Sequence, residues 1–321
     1  MKILVTGGAG FIGSHLCERL LLDGHDVIAI DNLSTGSLSN LSNLQTSADF
    51  TFVEGSILDL QALIPLVSGV DYVFHLAAAV GVLNIMNNPL DSLLTNIRGT
   101  ENVLMAAQSS KIPVFITSSS EVYGKNTSNS LRESDDRILG SPTTLRWSYS
   151  EAKAIDESLA YAYFIEQKLE TRIVRFFNTV GPRQVGAYGM VVPRFVKSAL
   201  ANEPITIYGD GKQTRCFAHV YDVIDAVIAI AFADNTIGRV INIGNNAEIS
   251  IYGLAQKIVT QTNSKSEIVY LPYEEAYGAG FEDMERRVPN IDLINLLVGW
   301  KPRRDLSTII EDISTEMAKN S

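Results

Sequence analysis

The sequence predicts an α/β protein built on an open, doubly wound parallel sheet, with a smaller C-terminal α/β substrate-binding lobe. Three observations predict it. Short apolar runs alternate with amphipathic helical stretches, the first run leads straight into a glycine-rich turn and a helix, and the second run ends on an aspartate. At 321 residues and 46% hydrophobic content, the chain can bury one large core or two smaller ones.

Residues 2–5 read as a short buried strand and Ser14 to Leu22 as an amphipathic helix, with Thr6-Gly7-Gly8-Ala9-Gly10-Phe11-Ile12-Gly13 between them. Glycines allow the sharp turn, let the backbone approach a pyrophosphate and permit close helix packing, and the helix N-terminus favours negative charge. This is a Rossmann-type dinucleotide fingerprint. The cofactor contacts expected here are Gly7, Gly10, Phe11, Ile12 and Gly13. A second strand, Asp26 to Ile30, ends at Asp31, placed to accept hydrogen bonds from ribose hydroxyls and to repel a 2′-phosphate, which favours NAD over NADP. Phe50 to Val53 is the next strand, followed by Gly55-Ser56-Ile57 and a helix through Val67. Tyr72 to Leu76 is another, ending in Ala77-Ala78-Ala79, whose small side chains let a cofactor pass close to the backbone. A helix from about Leu90 to Gln108 carries Asn96, and Val114 to Thr117 is a strand. The run Ser118-Ser119-Ser120-Glu121 lies at its carboxyl end, where open α/β sheets bind ligands.

Tyr149 and Lys153 stand four residues apart on the next expected helix, so they share a face. A free phenol ionises only near pH ~10, and a neighbouring ammonium stabilises its phenolate. Tyr149 is therefore the candidate base toward a substrate hydroxyl, and oxidation there requires a bound hydride acceptor, because side chains offer none.

Beyond a strand from Thr171 to Phe177, Gly181-Pro182-Arg183 turns the chain away from the first lobe, dividing it into 1–180 and an interleaved 181–321. Val191-Val192-Pro193-Arg194-Phe195 opens a helix ending near Asn202, and Ile205 to Tyr208 is a strand. Arg215 follows a glycine-rich turn and suits a diphosphate. A helix from Ile251 to Thr262, a strand from Glu267 to Leu271 and a loop from Tyr277 to Phe281 come next; that loop is a candidate lid carrying Arg287 inward.

A net charge of −10 argues against a nucleic-acid surface. Cys17 and Cys216 are too few for a disulfide framework and suit a reducing cytoplasm; no signal peptide or membrane-spanning run is visible. His15, His25, His75 and His219 lack metal-ligand spacing, so no metal is expected, and His219 reads as a structural histidine. No nucleophile elbow for Ser-His-Asp hydrolysis is present.

These motifs, together with Asp31-Asn32, His75-Leu76-Ala77-Ala78, Phe177-Asn178 and the run from Tyr208 to Arg215, resemble the extended short-chain dehydrogenase/reductases that modify nucleotide sugars, across essentially the whole chain. The resemblance implies NAD, a UDP-sugar substrate and a homodimer joined through the helices near 90–108 and 151–167. It implies Tyr149 as base, Lys153 on the nicotinamide ribose and Ser119 on the sugar O4. Asn32, Ser56, Ile57, Leu76, Ala77, Ala78 and Asn96 join the expected cofactor set; Ser56 departs from the Asp common in relatives. Asn178, Val192, Arg194, Tyr208, Arg215 and Arg287 form the expected substrate set.

Three stretches are most similar to the UDP-glucuronate decarboxylase branch: Ser119-Ser120-Glu121-Val122-Tyr123-Gly124, Arg146-Trp147-Ser148-Tyr149, and Arg286-Arg287-Val288-Pro289-Asn290-Ile291. By that resemblance Glu121 and Arg287 carry decarboxylation, and Ser120 stands where a ring-contracting relative has Cys. Oxidising C4 of UDP-glucuronate places a ketone β to the carboxylate, so CO₂ can leave. Tyr149 and Ser119 hold charge on O4, Glu121 or a water it positions protonates C5, and Arg287 holds the carboxylate or assists. The competing reading makes Glu121 a helix cap and Arg287 a solvated charge. Two other functions compete: a UDP-sugar 4-epimerase, and a non-catalytic NAD-binding module.

Overall fold

A computed structural model describes the chain except residues 187–189, 278–281, 283 and 320–321. In chain order the first lobe comprises β1 (Lys2–Thr6), α1 (Phe11–Leu22), β2 (Asp26–Asp31), β3 (Phe50–Glu54), α2 (Leu60–Ser68), β4 (Tyr72–His75), α3 (Val82–Asn87), α4 (Pro89–Ser110), β5 (Val114–Ser119), α5 (Ser148–Gln167) and β6 (Thr171–Phe176). Then come β7 (Thr179–Val180), α6 (Val191–Ala201), β8 (Ile205–Tyr208), β9 (Thr214–Cys216), β10 (Ala218–His219), α7 (Val220–Ala231), β11 (Val240–Ile243), β12 (Glu248–Ser250), α8 (Ile251–Gln261), β13 (Ile268–Leu271), α9 (Tyr273–Tyr277), β14 (Arg286–Arg287), α10 (Asp292–Val298) and α11 (Leu306–Lys319).

The central seven-stranded sheet runs β11-β6-β5-β4-β1-β2-β3, with all pairs parallel. The order reverses between β1 and β4, which opens a crevice at the carboxyl ends of those strands. One face packs against α1 and α7 through Leu16, Leu20, Val223 and Val227, the other against α2, α4 and α5 through Leu63, Val103, Leu104 and Ala160. Burial on both faces explains why the strands read as continuous apolar runs rather than alternating ones.

The second lobe has its own core, where Phe195 and Val196 of α6 meet Ile205 and Ile207 of β8, Leu254 and Ile258 of α8, and Ile309 and Ile313 of α11. The chain does not stay there. After β10 it returns to the first lobe, where α7 packs on α1 and β11 adds to the sheet edge with Val240 opposite Ile173.

Several boundaries differ from the expected ones. Helix α1 begins at Phe11 rather than Ser14, because Gly10 holds the extended N-cap conformation and the turn ends there. Strand β5 runs past its expected end at Thr117 through Ser118 and Ser119, paired with Arg175 and Phe176 of β6. Helix α5 begins at Ser148, ahead of Tyr149.

Candidate active site

A cleft of about 1030 Å³ lies over the crevice, with the glycine-rich turn at one end and Arg194, Tyr208 and Arg215 at the other. At the turn, Gly7 has φ +72°, and a Cβ there would stand 2.8 Å from the Ala77 nitrogen; a Cβ on Gly13 would stand 2.1 Å from the Gly7 oxygen. Only glycine fits either position. Gly10 caps α1 without a side chain, so the first turn of the helix faces the cleft uncapped by any side-chain oxygen. That is a cradle for a pyrophosphate. Asp31 ends β2 beside it, its carboxylate accepting from Ala9 N at 3.0 Å and Leu33 N at 2.8 Å. Burial raises the Asp31 pKa, and those N–H groups only partly offset the rise.

Phe11, Ile12, Asn32, Ile57, Leu76, Ala77 and Ala78 also line the cleft. Ser56 and Asn96 are not among its lining residues. The Ser56 hydroxyl accepts from Leu58 N at 3.2 Å and shapes its own turn. Asn96 is turned onto Ala79, accepting from its N–H at 2.7 Å and donating to its carbonyl at 3.3 Å. It braces the segment after β4 from behind.

The chemistry converges where β5 meets α5. Ser119 faces Tyr149 and draws its pKa down, and the Lys153 ammonium, 2% exposed, donates to Thr117 O at 3.0 Å and Asp156 Oδ2 at 3.1 Å. The expectation that Lys153 leaves Tyr149 with a lowered pKa needs correction for the protein alone. Burial raises the phenol, Lys153 pulls it down, and the Glu121 and Asp156 carboxylates push it up again, for a net rise. Lys153 itself is penalised by burial, but Asp156 and Tyr149 raise it and keep it charged.

Glu121 sits just past Ser119 with both carboxylate oxygens engaged: Arg146 Nη1 lies 2.6 Å from Oε2 and Arg287 Nη2 lies 2.7 Å from Oε1. Burial works to raise this carboxyl, yet the two guanidiniums hold it well below the usual carboxylate range, so it is an anion at neutral pH. The readings of Glu121 as a helix cap and Arg287 as a solvated charge therefore fail. Arg287 is 6% exposed and also donates to Ser120 Oγ at 3.4 Å. Its placement comes from β14, which pairs with β9 and sets Arg287 beside Arg215. The expected lid falls mostly on 278–281, outside the described residues, and Arg287 lines the cleft from its strand.

Arg146 was missed as a functional residue. It occupies a 3₁₀ turn before α5 and reaches back to a residue 25 positions earlier, a contact no local spacing encodes. Asp156 was also missed, although its i,i+3 spacing from Lys153 is a readable signal.

At the far end, Asn178 donates to Cys216 O at 2.9 Å, and the Arg194 guanidinium stacks 4.1 Å from the Tyr208 ring centroid. Arg215, buried, donates to Thr214 O at 2.8 Å. All four line the cleft, but Val192 does not: it is fully buried in the second-lobe core, while its neighbour Val191 takes the cleft position. His219 is structural, capping α7 through Tyr221 N at 3.1 Å and meeting Asp312 at 3.0 Å. Among the described residues no His, Cys, Asp and Glu cluster suits a metal, and no helix is long and apolar enough to cross a membrane.

Comparison with known proteins agrees with this geometry. The NAD dependent epimerase/dehydratase family model matches residues 3–244. A UDP-N-acetyl-alpha-D-glucosaminuronate decarboxylase of Bacillus cytotoxicus is 42% identical over 94% of this chain and 92% of its own length. UDP-glucuronic acid decarboxylase 1 of Danio rerio is 36% identical over 94% of this chain and 69% of its own. Among solved structures, a UDP-glucuronic acid 4-epimerase from Bacillus cereus, in complex with UDP-glucuronic acid and NAD, superposes with a TM-score of 0.89 at 30% identity over 100% of both chains. The family model spans more than half of the chain, and the chain belongs to the NAD dependent epimerase/dehydratase family.

Proposed function

We propose that the protein decarboxylates a UDP-hexuronate, with UDP-glucuronate or its 2-acetamido analogue as substrate, through a 4-keto intermediate. The observation that carries this reading is the cluster Arg146–Glu121–Arg287: two buried arginines converge on one carboxylate beside Tyr149, and all three line the cleft. Guanidiniums on the cleft wall suit a sugar with a C6 carboxylate, which a neutral hexose lacks. The 2-acetamido form is included because the Bacillus cytotoxicus relative is named for it.

The glycine cradle, Asp31 and Lys153 fit NAD. NAD held there would supply the hydride acceptor for oxidation at the sugar C4 and the donor that reverses it. Tyr149 accepts the C4 hydroxyl proton, and Ser119, which faces the phenol, holds O4. As CO₂ leaves, the electrons of the C5–C6 bond move into the C4 ketone, and donors on O4 stabilise that charge by roughly 3 kcal/mol each. Glu121 is ionised, so it does not donate the C5 proton itself; it orients a water that does. Arg287 grips the departing carboxylate. Tyr149 then returns its proton to O4, and the net reaction consumes one solvent proton and releases CO₂. At the other end of the cleft, Arg215 and Arg194 suit the diphosphate, and Tyr208 the uracil.

A 4-epimerase uses the same oxidation, and the Bacillus cereus neighbour is named as one. Incubation with UDP-glucuronate, its 2-acetamido analogue and UDP-glucose separates the two: CO₂ with a pentose product supports decarboxylation, while UDP-galacturonate or UDP-galactose alone overturns it. The same reading includes a homodimer through α4 and α5, whose Met105, Ile155, Tyr161 and Ile165 are exposed apolar residues; sedimentation showing only monomer would refute it. The buried free thiols Cys17 and Cys216 suit the reducing cytoplasm.

A further inference from the structure

The proposed chemistry asks Tyr149 to release a proton, and a carboxylate outside that account stands against the cation beside it. Asp156 lies one helical turn beyond Lys153 on α5 and is 0% exposed, with Oδ2 3.1 Å from Lys153 Nζ. Thr100 of α4 lies near it and lowers its pKa, while Asp156 Oδ1 accepts no hydrogen bond among the described residues. Thr100 Oγ1 lies 3.1 Å from His75 Nε2, and His75 Nδ1 lies 2.8 Å from Thr6 Oγ1, where the glycine-rich turn begins. A buried polar chain, Thr6–His75–Thr100, thus runs from the cofactor turn toward the carboxylate that meets the Lys153 ammonium. Burying that carboxylate is costly, and an apolar residue would fill the space without the cost.

We propose that Asp156 is a positioning residue acting through Lys153: it holds the ammonium in place and cancels part of its charge, so the Asp156–Lys153 pair sets the pH at which Tyr149 ionises. The charges facing Lys153 are Tyr149, Asp156 and Glu157 on α5 and His75 on β4; Tyr149 also faces Glu121. Glu157 is engaged by Arg175 of β6 at 2.9 and 2.7 Å. Burial and Lys153 push the His75 pKa down to about 3, so its ring is neutral. Asp156 is the carboxylate in direct contact with Lys153. The inference rests on Tyr149 as the base.

The test titrates tyrosinate ultraviolet absorbance in the NAD-loaded protein without sugar, taking the difference from Tyr149→Phe to isolate one phenol. Asp156→Asn is expected to move that ionisation down by about 1 pH unit, because the ammonium is then uncompensated. Asp156→Glu is expected to leave it near its original position. Asp156→Ser should reproduce the downward shift and serves should the Asn variant not fold. An ionisation that stays in place or moves upward in Asp156→Asn or Asp156→Ser overturns the proposal. No sugar enters this titration, so its failure is separate from that of the decarboxylase reading, which falls on the product assay. Full turnover by Tyr149→Phe would instead remove the base assignment.

Discussion

Two buried ionic clusters flank Tyr149, and they are built from different groups. On the α5 side, Lys153 meets Asp156 one to one, 3.1 Å apart. On the β5 side, Glu121 meets Arg146 and Arg287, one carboxylate to two guanidiniums. The lysine–carboxylate pair sits on the helix of the base itself and suits the tuning of a neighbour. The arginine-rich trio lines the cleft, where a substrate carboxylate can meet a guanidinium. The contrast separates a cluster that prepares the base from one that selects the substrate.

Removing the group between the clusters should have the largest effect. Tyr149→Phe is expected to lower turnover by about 10²–10⁴-fold, with NAD binding retained in a fluorescence titration. Next in size, Arg287→Ala leaves Glu121 and the substrate carboxylate short of a cation, a loss of about 3 kcal/mol or about 10²-fold in CO₂ release. Equal losses in NAD affinity and CO₂ release would make Arg287 structural and erase the distinction between the clusters.

Arg146→Gln tests the trio more gently. Glu121 is depressed in the folded protein, so its ion pairs stabilise the fold above the unfolded carboxylate range, and that stabilisation is lost as pH falls. With one guanidinium gone, burial regains ground and the Glu121 pKa rises. The acid limb of the decarboxylation rate should move up by about 1 pH unit, read from kcat against pH; an unmoved limb would mean that Arg287 alone keeps Glu121 ionised. The smallest effect is expected far from both clusters. Asp31→Ala should weaken NAD by about 10-fold, on the order of 1.4 kcal/mol, and narrow the preference over NADP without moving either limb of the pH profile.

The alternation of apolar runs and helices, the glycine turn and Asp31 were legible because each is a local property of the chain. Strand length, helix period and the φ +72° demanded at Gly7 are short-range constraints that residue type reports directly. The pairing of Tyr149 with Lys153 is also local, since a helix places i and i+4 on one face. Folding in space decided the rest. Arg287 reaches Glu121 only because β14 aligns with β9, and Arg146 only because a 3₁₀ turn folds back beneath β5. Val192 and Val191 differ in which one faces the cleft because α6 is rotated by the packing of the second core, and Asn96 braces Ala79 because α4 crosses behind β4. The ionisation of Tyr149 follows the same division. Its lysine is written in the spacing, but its net pKa depends on burial and on carboxylates 28 residues upstream and seven downstream, Glu121 and Asp156, and desolvation is a property of the assembled core rather than of any segment.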